Sequence, residues 1–169
     1  MKLKEVDSEF CVIGEPLPIS SQALAQLIAA TMDKKASLRF KVKGFSMCPF
    51  VKDEDVATVS PLNNFAIGLG RVVAFIHPQT DKIIVHRVVG NRNNAYFIKG
   101  DNVGCVDGLV PRKNILGYVT KIERKNKNYT LGLGPERRVI AFLSRYFSFF
   151  VLLCFVHRIM RSAKRRIWG

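Results

Sequence analysis

Apolar and polar residues between positions 38 and 122 follow a two-residue period in short runs, not a helical one. Leu38, Phe40 and Val42 alternate with Arg39, Lys41 and Lys43, the pattern of a strand with one face buried and one in water. Further strand-like runs fall at 56–59, 71–76, 82–89, 96–99 and 116–122. Turn-forming residues separate them at 52–55, 63–64, 77–80, 91–94 and 100–102. Short strands with no long helix between them predict a mainly β domain over 37–130, an antiparallel sheet that is coiled or barrel-like. The flanks read differently. Residues 1–36 form a helical leader, in which Ser20 or Ser21 caps a helix whose Leu24, Leu27, Ile28 and Met32 recur at helical spacing and pack on the domain that follows. Residues 131–169 begin with a Gly- and Pro-rich hinge at 131–135. A helix or pair of helices follows over 137–168, first with a polar stripe of Arg138, Ser144, Arg145 and Ser148, then apolar all round at 149–156, then basic. No internal repeat is visible.

Composition changes this picture mainly at the C-terminal end. A length of 169 residues suits one domain, and 48% hydrophobic residues exclude general disorder. The net charge is +14, and after Glu136 there are eight Lys or Arg residues and no acid. A basic segment that is also strongly apolar points to an anionic membrane surface ahead of nucleic acid. Twelve Leu, Ile, Phe or Val residues in 139–157 favour insertion by roughly 4–7 kcal/mol, against about 2.5–3.5 kcal/mol for a central Arg145. The longest apolar run is shorter than the ~20 residues a span prefers. Shallow interfacial insertion of 139–168 is therefore the favoured expectation, with a span and packing on a partner protein as the other two. The protein is expected to be membrane-associated, with the cytoplasmic face favoured. Cys11, Cys48, Cys105 and Cys154 are scattered without a metal-ligand spacing, so they read as reduced, mostly buried thiols, and no metal or cofactor is expected. Met1-Lys2-Leu3-Lys4 meets Glu5, Asp7 and Glu9 before any long apolar run, so no signal peptide is expected.

Two segments bear chemistry. In Gly44-Phe45-Ser46-Met47-Cys48-Pro49 a hydroxyl sits in a turn bounded by glycine and proline, and in Val85-His86-Arg87-Val88-Val89-Gly90 a histidine sits in an apolar strand. A serine is a weak nucleophile until a base is held against it. Gly44 permits unusual dihedrals beside Ser46, and a turn built by Gly44 and Phe45 can aim backbone N–H groups at a developing oxyanion. Each segment alone has an ordinary explanation, as a turn serine or a hydrogen-bonded strand histidine.

Together with Gly70-Arg71-Val72-Val73-Ala74-Phe75, and with Lys99-Gly100-Asp101-Asn102 followed by Asp107, these segments resemble the ordered boxes of the signal peptidase I-like family, whose β-fold is shared with the LexA-like repressor peptidases. The resemblance covers 37–121. Bacterial leader peptidases and LexA-like proteins place a lysine where this chain has His86. The archaeal, endoplasmic-reticulum and spore-former types place a histidine there, and this chain resembles them. A lysine near 10.4 must be desolvated by roughly three pH units to act as a base at neutrality, whereas a histidine near ~6.5 is already poised but needs an acid to orient it. The resemblance implies that acid to be Asp107, with Asp101 as a supporting or alternative acid. Two features depart from the family pattern: Arg71 stands where many members carry an acid, and the apolar segment is C-terminal where the usual anchor is N-terminal.

The expected function is a serine endopeptidase that cleaves leader or signal segments, acting on an extended protein or peptide strand through Ser46, His86 and Asp107. A LexA-like self-cleaving regulator is one alternative. It is disfavoured by the histidine base, by the shortness of 1–36 and by the lack of an Ala-Gly or Cys-Gly dipeptide. A non-catalytic membrane or nucleic-acid adaptor on the same fold, using the +14 charge, is the other.

Overall fold

The computed structural model describes residues 11–12, 21–62 and 67–146. The described elements run β1 (Cys11–Val12), α1 (Ser21–Asp33), β2 (Leu38–Lys41), β3 (Val56–Ser60), β4 (Val72–Ile76), β5 (Ile83–Arg92), β6 (Ala95–Lys99), β7 (Leu109–Pro111), β8 (Ile115–Arg124), β9 (Lys127–Tyr129) and α2 (Arg137–Tyr146). The strands make one sheet in the order β1-β2-β3-β8-β4-β5-β6-β7, with β9 added to β8. Pairing is antiparallel except between β1 and β2. The protein is thus mainly β with two short helices.

The six runs with strand periodicity correspond to β2, β3, β4, β5, β6 and β8. The segment 82–89 extends further than its apolar pattern, to Arg92, because a register shift between Val88 and Gly90 lets the strand continue into a hairpin. Asn93 and Asn94 close that hairpin with φ of 47° and 60°, the paired left-handed conformation of a two-residue type I′ turn. Lys125 and Asn126 use the same geometry, at 49° and 61°, to turn β8 into β9. The apolar run at 71–76 is central. Val72 and Ala74 belong to a core with Met47, Val51, Val119 and Ile122, while Val73 and Phe75 belong to a second core with Val88, Ile98 and Val110. A strand buried on both faces has no polar alternation, which is why β4 reads as continuously apolar.

The flanks hold the larger differences. The leader, expected to be helical, also contributes β1, which pairs with Leu38 and Arg39 of β2. Helix α1 packs against β8, β5 and β2 with Ala25 and Ile28 buried. The 131–135 segment, expected to be a hinge, is tied down: the Gly132 and Gly134 N–H groups donate to Glu136 Oε1 at 2.7 and 3.0 Å, and the Gly132 carbonyl accepts from Arg87. In α2 the expected polar stripe fails at Ser144, which is fully buried beside Ile140 and Ala141, while Val139, Phe142 and Tyr146 are exposed. The reason is a buried polar partner for Ser144, described below. No helix among the described residues is long and apolar enough to cross a membrane, and the 147–168 part of the expected membrane-associating helix lies outside them. Cys48 is half-buried and Cys105 exposed, both free, so these two thiols are not core residues as expected; both lie in turns instead of strands.

An ion pair ties the residue before β3 to the last residue of β8. Arg124 Nε and Nη2 donate to the two oxygens of Asp55 at 2.8 and 2.7 Å, and the Lys52 N–H donates to Asp55 Oδ2. Burial alone pushes the Asp55 carboxyl up, but the Arg124 hydrogen bonds and the Lys52 N–H outweigh it and hold the group below its ordinary value. A lowered carboxylate adds stability above its unfolded value, and that stability is lost as pH falls through the folded one. Asp55→Asn is therefore expected to lose about 1.5–3 kcal/mol at neutral pH, as for hydrogen bonds to a charged group. In urea titrations its gap to wild type closes as pH falls below 3.8, the ordinary value of Asp55. A gap that stays constant down to the acid transition contradicts this.

Candidate active site

The turn bearing Ser46 is built from both sides. Gly44 takes φ +97°, and its N–H donates to Asp53 Oδ1 at 2.7 Å. The Cys48, Phe50 and Val51 N–H groups then bond back to Phe45 and Met47 carbonyls, and the Cys48–Pro49 bond is cis. Met47, Phe50 and Val51 are buried and anchor the turn from below, leaving Ser46 half-buried and Phe45 67% exposed. The commitment of the Gly44 N–H to Asp53 gives Gly44 a turn-shaping role and removes that N–H from any oxyanion site. Among the described residues the Ser46 N–H has no hydrogen-bond partner.

His86 lies on β5 with its ring 6.4 Å from that of Phe75, and is 6% exposed. Its Nε2 is 2.8 Å from Ser46 Oγ, and its Nδ1 is 2.6 Å from Asp107 Oδ2. Where Nδ1 carries the ring proton it donates to the Asp107 carboxylate, and Nε2 is left to accept from the serine hydroxyl. Asp107 is itself positioned by its N–H, which donates to the Ile98 carbonyl of β6 at 2.8 Å. The structure thus brings together Ser46, His86 and Asp107 from three separate segments, as a hydroxyl, an imidazole and a carboxylate in one hydrogen-bonded line.

Asp101 does not reach His86. It is fully buried and accepts from Arg87: Nε at 2.8 Å to Oδ1, and Nη2 at 2.7 Å to Oδ2. Arg87 Nη1 spans to the carbonyls of Gly70 and Gly132 at 2.8 and 2.7 Å. Ser144 Oγ–H donates to Asp101 Oδ1 at 2.8 Å, and Lys99 Nζ donates to the Ser144 carbonyl. Burial pushes the Lys99 ammonium below its ordinary value, and the charge of Asp101 opposes that shift. One carboxylate therefore sits among two buried cations and a hydroxyl.

The 100–102 turn joins this network to Ser46 and His86. A Cβ on Gly100 falls 2.7 Å from the Ser46 carbonyl oxygen and 2.9 Å from His86 Nε2, so only glycine allows that approach. The Asn102 N–H donates to the Ser46 carbonyl at 2.7 Å, and its Nδ2 to the Phe45 carbonyl at 3.3 Å. Gly100, Arg87 and Ser144 have structural roles that their sequence positions do not announce. The available signal was a charged residue inside an apolar strand at Arg87, and a glycine two residues before the polar Asn102. No protein-family model and no curated protein matches the chain.

Proposed function

We propose that this protein is a serine endopeptidase of the signal peptidase I-like, histidine-base type, acting on extended leader or signal segments. The observation behind the reading is the continuous hydrogen-bond chain from Asp107 through His86 to Ser46, at 2.6 and 2.8 Å. Few structural roles need a hydroxyl, an imidazole and a carboxylate in that order at a half-open turn. His86 Nε2 takes the Ser46 proton as Oγ attacks the peptide carbonyl, and Asp107 stabilises the imidazolium. The unengaged Ser46 N–H points to the oxyanion donor. The imidazolium returns its proton to the leaving amine, and water deacylates Ser46 by the same route in reverse.

The sheet supports an extended substrate. Residues Ile83 to His86 of β5 pair only with β4, because β6 begins its pairing at Arg87. Among the described residues that edge carries no strand, and it ends at the base. Main-chain hydrogen bonds from an added peptide strand suit such an edge. Membrane association remains part of the proposal: the outward Val139, Phe142 and Tyr146 of α2 lead into the apolar and basic 147–168 segment.

The test is covalent labelling with a fluorophosphonate. Wild type is expected to take one adduct at Ser46 and Ser46→Ala none; an unlabelled wild type overturns the reading. Gly100→Ala is expected to slow labelling roughly a hundredfold or more, because displacement near 1 Å at a reacting pair costs on that order. Its melting transition should remain cooperative, and undiminished labelling contradicts the close approach at Gly100.

A further inference from the structure

We propose that Ser144 is a positioning residue for the Ser46–His86 pair, so that α2, the element leading into the C-terminal segment, orders the catalytic turn when it is seated. The proposal rests on the peptidase reading of the same site.

Each link is a short contact. The Ser144 hydroxyl donates to Asp101 Oδ1 at 2.8 Å, and its carbonyl accepts from Lys99 at the end of β6. The residues on either side of Asp101 press on the chemistry: Gly100 against the Ser46 carbonyl and His86 Nε2, Asn102 through its N–H onto the same carbonyl. Ser144 and Asp101 are both fully buried, so the carboxylate has no water to replace a lost donor. Serine is a poor choice for a helix interior, since its hydroxyl competes with the backbone. Here the hydroxyl is spent on an acid of another element.

The seat of α2 is thin enough for that bond to matter. Its described part, Arg137–Tyr146, buries only Ile140, Ala141 and Ser144. Its exposed side carries Val139, Phe142 and Tyr146. Removing the hydroxyl frees Asp101 to turn toward Arg87 and lets the 100–102 turn drift from Ser46. A catalytic pair is sensitive to displacements of that size.

The test compares full-length wild type, Ser144→Ala and Ser144→Cys, the last retaining size and a weak donor. In Ser144→Ala the Asn102 amide is expected to exchange hydrogen faster, while amides of the β3–β8 pair keep their protection. Fluorophosphonate labelling of Ser46 should slow by roughly tenfold to a hundredfold. With any cleaved peptide the loss should lie in kcat, KM changing by less than about twofold. Ser144→Cys should fall between, and it carries the comparison if Ser144→Ala does not fold. Unchanged Asn102 exchange and labelling overturn the proposal, as does a loss of protection spread evenly over the sheet. If the phosphonate labels no form of the protein, the peptidase reading fails, while Asn102 exchange still reports whether Ser144 holds the turn.

Discussion

Ser46→Ala is expected to abolish peptide cleavage, with a loss on the order of a millionfold in kcat, and His86→Ala to match it. The size follows from the geometry. Ser46 Oγ lies 2.8 Å from His86 Nε2, so neither group acts without the other. The effects should accordingly not add: the double variant Ser46→Ala/His86→Ala is expected to be no worse than either single one. Asp107→Asn is expected to cost about 10⁴-fold, because the amide keeps the shape but no longer fixes the Nδ1–H tautomer. Asp101→Asn should cost far less per folded molecule, on the order of the tenfold to hundredfold expected for Ser144→Ala, since Asp101 touches Arg87 and Ser144, not His86, and reaches the pair only through the 100–102 turn. Purified variants assayed on one leader-type peptide, each with its melting curve, separate these cases. Cleavage by Ser46→Ala at the wild-type rate would falsify the triad and return the adaptor alternative to first place.

The three residues of the Ser46–His86–Asp107 chain were legible in the sequence because each has a local signature. Ser46 is framed by Gly44 and Pro49, His86 interrupts an apolar run, and Asp107 lies shortly after a Gly-Asp-Asn turn. The choice between Asp101 and Asp107 was not legible from the residues alone, since Asp101 lies in that turn and Asp107 shortly after it, and only packing decides which carboxylate meets the imidazole. The network behind the site was less legible still. Arg87 is a charged residue in an apolar run, yet it is fully buried, because the 131–134 segment folds back to offer it the Gly132 carbonyl. Ser144 lies 43 residues from Asp101, and a serine among arginines on a helix reads as a wet face. The six longer strands followed from periodicity. The short β1, β7 and β9 did not, being two or three residues long and held by pairing with neighbours instead of by a pattern of their own.

Removing Asp101 is expected to produce the largest loss of stability of any single substitution discussed above. It is the carboxylate facing Arg87, and its charge also favours the ammonium of Lys99; all three groups are at most 1% exposed. Breaking a buried pair by removing one partner costs about 3–5 kcal/mol, since the remaining charge stays buried. For a domain whose total stability is typically about 5–15 kcal/mol, that is a large share. The two cations respond differently. Arg87 cannot release its proton, whereas burial already holds Lys99 below 10.5, and the loss of the Asp101 charge lowers it further. Between the folded value of Lys99 and 10.5, the unfolded chain binds more protons than the folded one, so stability rises with pH across that window. Asp101→Asn should therefore unfold at much lower urea than wild type at about pH 7, and regain part of the difference as pH rises toward 10.5. Arg87→Met leaves Asp101 with Lys99 nearby and Ser144 still donating, so it should cost less than Asp101→Asn and respond less to alkali. Equal losses in the two variants, or a gap to wild type that does not change with pH, would mean that Asp101 serves Arg87 alone and that Lys99 is held by its surroundings without it.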